Sequence, residues 1–386
     1  MSRLKVAMIG HGFMGAAHSQ GWRTAHRAFD LPANPQMAVL VGRDGAKAAA
    51  AAEKWGWESS STSWREVIER EDIDIIDIVT PGASHAQIAI AALEAGKHVL
   101  CEKPLANTVA EAEQMAAAAE RAARHGVQAM VGFTYRRVPA ASFMRQLIAQ
   151  GVLGEIQQVR ASYRQDWLVD AAAPMSWRLQ QDQAGSGALG DIGAHAIDLV
   201  QFATGLQVQA VSGVLQTVTG HRPLADGSGF GQVSVDDLAL FAGRLSNGAL
   251  ASFEASRVAT GRKNALSIEV SGTGGALAFD LEELNSLRYY NREDPQDRQG
   301  FRKILVTEPV HPYLSGWWPA GHMLGYEHGF SHQAKDLVES IDSGRPAHSS
   351  FAEGLQVQRV LDAVARSAAN ESAWTGVVHH AEIRTA

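Results

Sequence analysis

Over the first third of the chain, short apolar runs alternate with amphipathic stretches. Leu4 to Gly10, LKVAMIG, is an apolar, β-branched run that breaks at glycine, the pattern of a buried parallel strand. FMGAAHSQGWRTAHRAF follows with apolar groups at helical spacing, Phe13, Ala16 and Ala17 facing one side. Met37 to Val41 reads as a second strand, and DGAKAAAAAEKWG as a helix ending at Gly56. Ser63 and Glu66 have capping-box spacing and open a helix at SWREVIER. Ile73 to Thr80 is a buried strand, SHAQIAIAALEAG a helix stopped at Gly96, and KHVLCEKP a strand halted by Pro104. Thr108 and Glu111 repeat the capping-box spacing, opening a helix that ends at Gly126 before the strand VQAMVGF. Such βαβα order predicts an α/β fold with a doubly wound parallel sheet.

From about Gly151 the alternation stops. EIQQVRASYRQDW, VQAVSGVLQTVTG, VDDLALFAGRLSNG, ALASFEASRVATG and ALSIEVSGTGGALAFD are strand-like runs in succession, and Asn247-Gly248 is a strong hairpin cue. This half predicts an α+β domain with a large open antiparallel sheet. The boundary is placed at residues 1–132 and 133–386. The helices SHQAKDLVESIDSG and AEGLQVQRVLDAVARSA read as amphipathic cover packed on the main body.

Length and composition agree with this division. A chain of 386 residues exceeds what one core usually serves, and 46% hydrophobic with 19% charged residues is ordinary globular composition. A net charge of −7 without clustered Lys and Arg argues against a nucleic-acid partner. The single cysteine, Cys101, makes no intramolecular disulfide and reads as a small buried apolar residue, so a reducing, cytoplasmic setting is expected. The N-terminus has too short an apolar run for a signal segment. No later stretch approaches the roughly 18 uncharged apolar residues of a membrane span.

The most informative short motif is Gly10-His11-Gly12-Phe13-Met14-Gly15. GxGxxG alone is weak, but here it follows a predicted strand and opens a helix, the Rossmann context for a dinucleotide. Gly10 permits the tight turn, Gly12 lets the backbone approach a pyrophosphate, and Gly15 lets helix and strand pack closely. The helix N-terminus then holds the negative charge. NAD is the expected cofactor, with NADP the alternative. Gly42 or Arg43 stands where an acid usually meets the ribose, Arg43 suits a 2′-phosphate or the adenine face, and Asp44 is within reach of the ribose.

Three stretches together resemble the Gfo/Idh/MocA oxidoreductases: IGHGFMG at residues 9–15, GKHVLCEKPLA at 96–106 and GALGDIGAHAIDL at 187–199. The resemblance covers essentially the whole chain. It implies an NAD(P)-dependent dehydrogenase acting on a secondary hydroxyl of a sugar, anhydrosugar or cyclic polyol, in a homodimer or homotetramer. The tryptophan-rich loop YLSGWWPAGHMLGYEH is most like branches acting on anhydrosugars or glycosides. Carried over residue by residue, it places Lys103 between nicotinamide and substrate, with Asp191 and His195 lining the other side. Phe13, Met14, Thr80, Pro81, His85 and Glu102 join the glycines around the cofactor, and Tyr135 and Arg136 join the substrate site. Two departures are Gly82, where the family commonly has Asn, and Thr134, where Asn is frequent.

The residue chemistry reads compatibly. Oxidising a carbinol needs a base for the hydroxyl proton while hydride leaves carbon. Asp191 and His195 are four apart in a predicted helix and so share a face, and a carboxylate beside an imidazole orients it and raises its basicity. Lys103 follows a parallel strand's carboxyl end, where an ammonium donates to the reacting oxygen. His195 is therefore the expected base, Lys103 the polarising donor, and Asp191 the orienter. Trp177, Arg178 and Tyr326 are the expected sugar contacts, from a set that includes Trp167, Trp317 and Trp318. Asp198 reads as a cap or ion-pair partner. His322, His328 and His332 come without HExxH or a Cys cluster, so no metal is expected. Two alternatives use the same residues: redox-neutral glycoside cleavage with retained NAD, and a non-catalytic NAD(P)-binding sensor.

Overall fold

The computed structural model describes residues 2–377. The chain forms two compact units, Met1–Arg137 with Gly325–Leu355, and Val138–Leu324 with Gln356–Ala386. A single cut in the sequence does not anticipate the return of residues 325–355 to the first unit.

In the first unit, β1 (Ser2–Ile9), β2 (Ala33–Val41), β3 (Ser59–Ser61), β4 (Ile75–Ile78), β5 (His98–Cys101) and β6 (Ala129–Val131) pair in parallel, in the order β3-β2-β1-β4-β5-β6. Between them run α1 (Phe13–Ala28), α2 (Gly45–Trp55), α3 (Trp64–Glu69), α4 (His85–Glu94) and α5 (Val109–Ala123). The strand order switches direction between β1 and β4, and such sheets bind ligands at the carboxyl ends beside that switch. Local signals account for the helix starts. Thr108 and Glu111 close a full capping box, and the Ser63 hydroxyl accepts the Glu66 N–H. β4 is buried at every residue, Asp77 included.

The second unit contains α6 (Pro139–Ala149), β7 (Ile156–Arg164), α7 (Gln181–Ala184), α8 (Ala194–Thr204), β8 (Val208–Gln216), β9 (His221–Pro223), β10 (Phe230–Gln232), β11 (Leu238–Leu245), β12 (Leu250–Ser256), β13 (Ala265–Gly272), β14 (Gly275–Asp280), β15 (Ser286–Asn291) and β16 (Arg302–Leu305). After α9 (His328–Ser343), which packs on α1 in the first unit, the chain ends its described course with α10 (Phe351–Ala369) and β17 (Thr375–Gly376). Nine strands form one sheet, β16-β15-β14-β13-β7-β12-β11-β8-β17, while β9 and β10 pair separately.

The sheet is mostly antiparallel, as expected, with one parallel pair that the sequence did not announce, β7 and β12. Parallel neighbours need a long connection, and the stretch between them, including α8, supplies it. Asn247-Gly248 turns β11 into β12 as expected, whereas ALSIEVSGTGGALAFD divides into the two strands of a further hairpin, β13 and β14. β9, β10, β15 and β16 are short and partly exposed, so their apolar pattern is weak in the sequence. α6 and α8 pack together, α8 against β7 and β13.

Candidate functional site

The first unit gathers its candidates at one edge of the parallel sheet, because Gly10, Gly42, Thr80 and Lys103 each follow a strand that points the same way. Gly10 has φ +113, and a Cβ there would lie 2.8 Å from the Val79 carbonyl oxygen. A Cβ at Gly15 would lie 3.0 Å from the Gly10 oxygen, so this glycine serves the approach of α1 to the turn. Gly12 differs. A Cβ there meets no protein atom within 4 Å, so its missing side chain keeps space open before α1. Gly12 caps α1 without a side-chain bond, and the first turn holds no acidic residue. These free N–H groups and this clearance fit a dinucleotide pyrophosphate.

The ribose end is less conventional. A side chain at Gly42 would run into the His11 ring. Asp44 caps α2 by accepting the Lys47 N–H at 3.1 Å, which holds its pKa below the usual carboxylate range, while Arg43 is exposed.

Around Lys103, Glu102 is 4% exposed and its carboxylate accepts the Lys103 N–H at 3.2 Å. His85 is buried, with Nδ1 3.0 Å from the Pro104 oxygen and Nε2 2.8 Å from the Thr80 oxygen. Burial pushes its pKa down. His85, expected at the cofactor, thus also braces the Thr80 turn against the segment at Pro104. Ser84 in turn donates to the Thr80 hydroxyl and the Pro81 oxygen, so Thr80 and Pro81 sit in a bonded turn.

Tyr326 joins an aromatic row, with its ring 6.3 Å from Phe13, 6.4 Å from Tyr135 and 5.2 Å from Phe330. Burial, with the Tyr135 hydroxyl beside it, pushes the Tyr326 phenol well up. Phe13 is 68% exposed, an unusual state for phenylalanine beside a glycine turn. Arg136, expected at the substrate, pairs with an acid of the same unit. Its guanidinium is 4% exposed and donates to Glu353 at 2.6 Å. Burial opposes the Glu353 charge, but Arg136 more than offsets it and keeps that carboxyl low.

In the second unit the motif GALGDIGAHAIDL folds as a π turn, Leu189–Gly193, running into α8. Asp191 lies in the π turn and His195 in the α-helix, so the simple four-residue helical spacing expected for them is broken at this junction. Such insertions frequently mark functional sites. Asp236 holds the turn from below by accepting the Gly187 and Leu189 N–H groups at 2.8 and 2.7 Å. Burial raises the Asp236 pKa against those bonds.

Arg257, 1% exposed, donates to Asp191 at 2.9 Å, reaches the Arg178 oxygen at 3.3 Å and lies 5.4 Å from the Trp167 ring centre. It therefore assembles Asp191, Arg178 and Trp167 around one guanidinium. Arg178 also covers the Trp177 ring at 4.5 Å. Their loop rests on a small core of Leu168, Leu179, Val233 and Val235, and buried Arg222 donates to the Leu168 and Asp170 oxygens. His195 packs edge-on to Tyr163 at 5.8 Å and is 9% exposed. Trp317 and Trp318 stack obliquely at 6.0 Å in the same unit. Asp198 is buried.

Sequence reasoning did not find Arg257 or Asp236, nor His18 and Asp77 in the first unit. The available signal was charge inside apolar runs: the Arg that ends FEASR and the acid within IDIIDIV. His322 and His328 make local backbone bonds and His332 faces the Arg137 oxygen; among the described residues no three His, Cys, Asp or Glu side chains gather as metal ligands. No helix among those residues is long and apolar enough to cross a membrane.

Known proteins share this organisation along the whole chain. Residues 4–133 match the oxidoreductase family model with an NAD-binding Rossmann fold, and residues 142–278 match the GFO/IDH/MocA C-terminal domain. Levoglucosan dehydrogenase of Pseudarthrobacter phenanthrenivorans is 41% identical, the alignment covering 98% of this chain and 99% of that protein. A structure of levoglucosan dehydrogenase with NADH and levoglucosan superposes with a TM-score of 0.94 at 41% identity, over 98% of this chain and 100% of that one. An oxidoreductase domain protein from Kribbella flavida reaches 0.96 at 57% identity, with coverage of 98% and 100%. With its glycine turn shaped for a dinucleotide and both family models matched in order, the chain belongs to the Gfo/Idh/MocA family of NAD-binding oxidoreductases.

Proposed function

We propose that this chain oxidises a secondary hydroxyl of an anhydrosugar of the levoglucosan type to a ketone, with NAD as acceptor. The observation that carries this reading is near-full-length similarity to a levoglucosan dehydrogenase solved with NADH and levoglucosan, combined with Lys103, Asp191 and His195 in both motifs. Bound NAD supplies the hydride acceptor. Gly10, Gly12, Gly15 and the N–H groups opening α1 hold its pyrophosphate, with Phe13 and Met14 beside them and Thr80, Pro81 and Glu102 along the same sheet edge. Arg43 and Asp44 take the adenosine end, where the absence of an acid at Gly42 leaves NADP a weaker alternative.

Each side chain then has a limited task. The hydroxyl proton passes to His195 as the C–H bond gives up its hydride. Asp191, anchored by Arg257, orients that exchange and binds a neighbouring hydroxyl. Lys103 donates to the reacting oxygen and stabilises it as negative charge develops. Trp177 offers an apolar face to the sugar, Arg178 offers donors, and Tyr326 with Tyr135 offers phenols. The active form is a homo-oligomer, dimer or tetramer, and the buried lone cysteine suits a cytoplasmic setting.

NADH formation from levoglucosan, myo-inositol, glucose and methyl glucosides tests the reading. Turnover of levoglucosan with NAD supports it. Cleavage of a glycoside without net NADH would favour the redox-neutral use of the same residues, and cofactor binding without any turnover would favour a sensor.

A further inference from the structure

A buried charged cluster of the first unit joins His18 and Asp77, which have no role assigned above, to Glu102. His18, on α1 and 1% exposed at its side chain, stands between Asp77 of β4, 0% exposed, and Glu102, 6% exposed. Its Nδ1 is 2.9 Å from Asp77 and its Nε2 is 3.0 Å from Glu102. Trp22 donates its indole N–H to Asp77 at 2.7 Å, and the Phe330 ring tilts against the imidazole at 5.3 Å. These partners come from α1, β4, α9 and the segment after β5.

A neutral imidazole has one N–H and one lone pair, and a lone pair aimed at a carboxylate oxygen is repulsive. Two carboxylates on opposite nitrogens therefore select the doubly protonated ring. Burial works against that charge, but Asp77 and Glu102 more than offset it and raise the His18 pKa to about 10.

The second arm of Glu102 points to the consequence. One carboxylate oxygen takes His18, and the other accepts the Lys103 N–H at 3.2 Å. A Cβ at Gly132 would lie 2.5 Å from Glu102 Oε1, so a glycine there makes room for the carboxylate. On the far side of Lys103, the Pro104 oxygen faces His85 Nδ1 at 3.0 Å. Two histidines, one from α1 and one from α4, thus pin the residues that flank Lys103.

We propose that His18 is a positioning residue for Lys103: through Glu102 it couples the helix that opens at the glycine turn to the backbone of the lysine meant for the reacting oxygen. This rests on the reading of Lys103 given under Proposed function. The coupling explains why an acid sits in the apolar strand β4 and why the residue before Lys103 is a buried glutamate.

The test uses three readouts on the wild type, His18→Asn and Glu102→Gln. In histidine-labelled wild-type protein, nitrogen NMR finds both His18 ring nitrogens protonated at pH 8. In Glu102→Gln the amide hydrogens face Nε2, so the ring gives up that proton and keeps only Nδ1–H. Acylation of Lys103 in the cofactor-free protein, followed by peptide mass spectrometry, changes rate at least about threefold in both variants. In turnover, kcat falls about 10- to 100-fold in both variants, the scale of a misplaced catalytic group, while in His18→Asn the NADH Kd and the sugar KM move less than about threefold.

A purely structural role would instead lower the melting temperature and leave kcat per folded molecule and Lys103 acylation unchanged; that result overturns the proposal. A single protonated ring nitrogen in the wild type overturns it as well, and decides the matter if His18→Asn fails to fold. If the wild type turns over no sugar, the functional reading fails, while Lys103 acylation still reports whether His18 controls the lysine.

Discussion

The glycine turn of the first unit and the Asp191 turn of the second are both glycine-rich, yet they encode function differently. At Gly10 and Gly15 the demand is on the backbone itself: a positive φ and a close approach within six residues of one another. Such demands are written locally, so a strand, a GxGxxG and a helix sufficed to recognise them. The Asp191 turn is held by groups far along the chain, Asp236 from 47 and 49 residues away and Arg257 from 66. It is a π turn rather than a plain helix, and those partners bond its first N–H groups and its carboxylate. A local motif announces that something is there, and tertiary partners decide how it is aimed.

This contrast can be broken or sharpened by substitution. The largest effect is expected at the proposed base. His195→Ala is expected to lower kcat/KM for levoglucosan about 10²- to 10⁴-fold, the usual contribution of a general base, with the NADH Kd little changed. Stopped-flow and fluorescence titration separate the two.

Within the glycine turn, the two kinds of glycine should part. Gly12→Ala meets no protein atom, so its melting temperature stays near wild type while the NADH Kd rises about tenfold or more, because the new methyl enters the space kept for the cofactor. Gly15→Ala presses on the Gly10 carbonyl and costs about 1–2 kcal/mol of stability by denaturant titration. Equal effects of the two on folding would remove the distinction.

In the second unit, Arg257→Met keeps the volume of the side chain but leaves Asp191 without its buried partner. A loss of about 2 kcal/mol is expected, below the range for a fully buried pair because Asp191 is 28% exposed. Catalysis should suffer alongside, since the variant also releases Arg178 and Trp167.

A further effect is one of pH. His18 has its folded pKa raised to about 10, so its contribution is fully present below about pH 6.5 and is lost as pH rises toward 10. His332 is the opposite case: burial drops its pKa to about 3, so the unfolded chain binds the proton more readily and stability falls as pH drops from about 6.5 toward 3. His332→Asn should flatten the acid limb of the melting profile, and His18→Asn the alkaline limb. Loss of the alkaline limb on changing His332 would contradict these assignments.

Much of the fold was legible because its signals are short-range. Apolar runs gave β1, β2, β4 and β5, and capping boxes and terminal glycines gave the helices between them. What escaped depends on distance in sequence. The parallel pairing of β7 with β12 joins strands some ninety residues apart by register, Leu250 opposite Gln158, and no local pattern marks it. Motifs name neighbours and not partners, so nothing local announced that Arg136 meets Glu353 or that His85 bridges two loop carbonyls. Conversely, Asp77 was read as part of an apolar strand, although a buried carboxylate requires a partner. That requirement, applied to the sequence, would have marked β4 as a strand with a task beyond packing.

The central claim, NAD-dependent oxidation of an anhydrosugar hydroxyl supported by Lys103, is tested most directly by absorbance at 340 nm with NAD and levoglucosan, comparing the wild type with Lys103→Ala. The account predicts steady NADH formation by the wild type and a loss of about 10³-fold or more in kcat/KM for the variant, with NADH binding retained. Equal rates for the two proteins, or no NADH from the wild type across the sugars while NADH still binds, would contradict it.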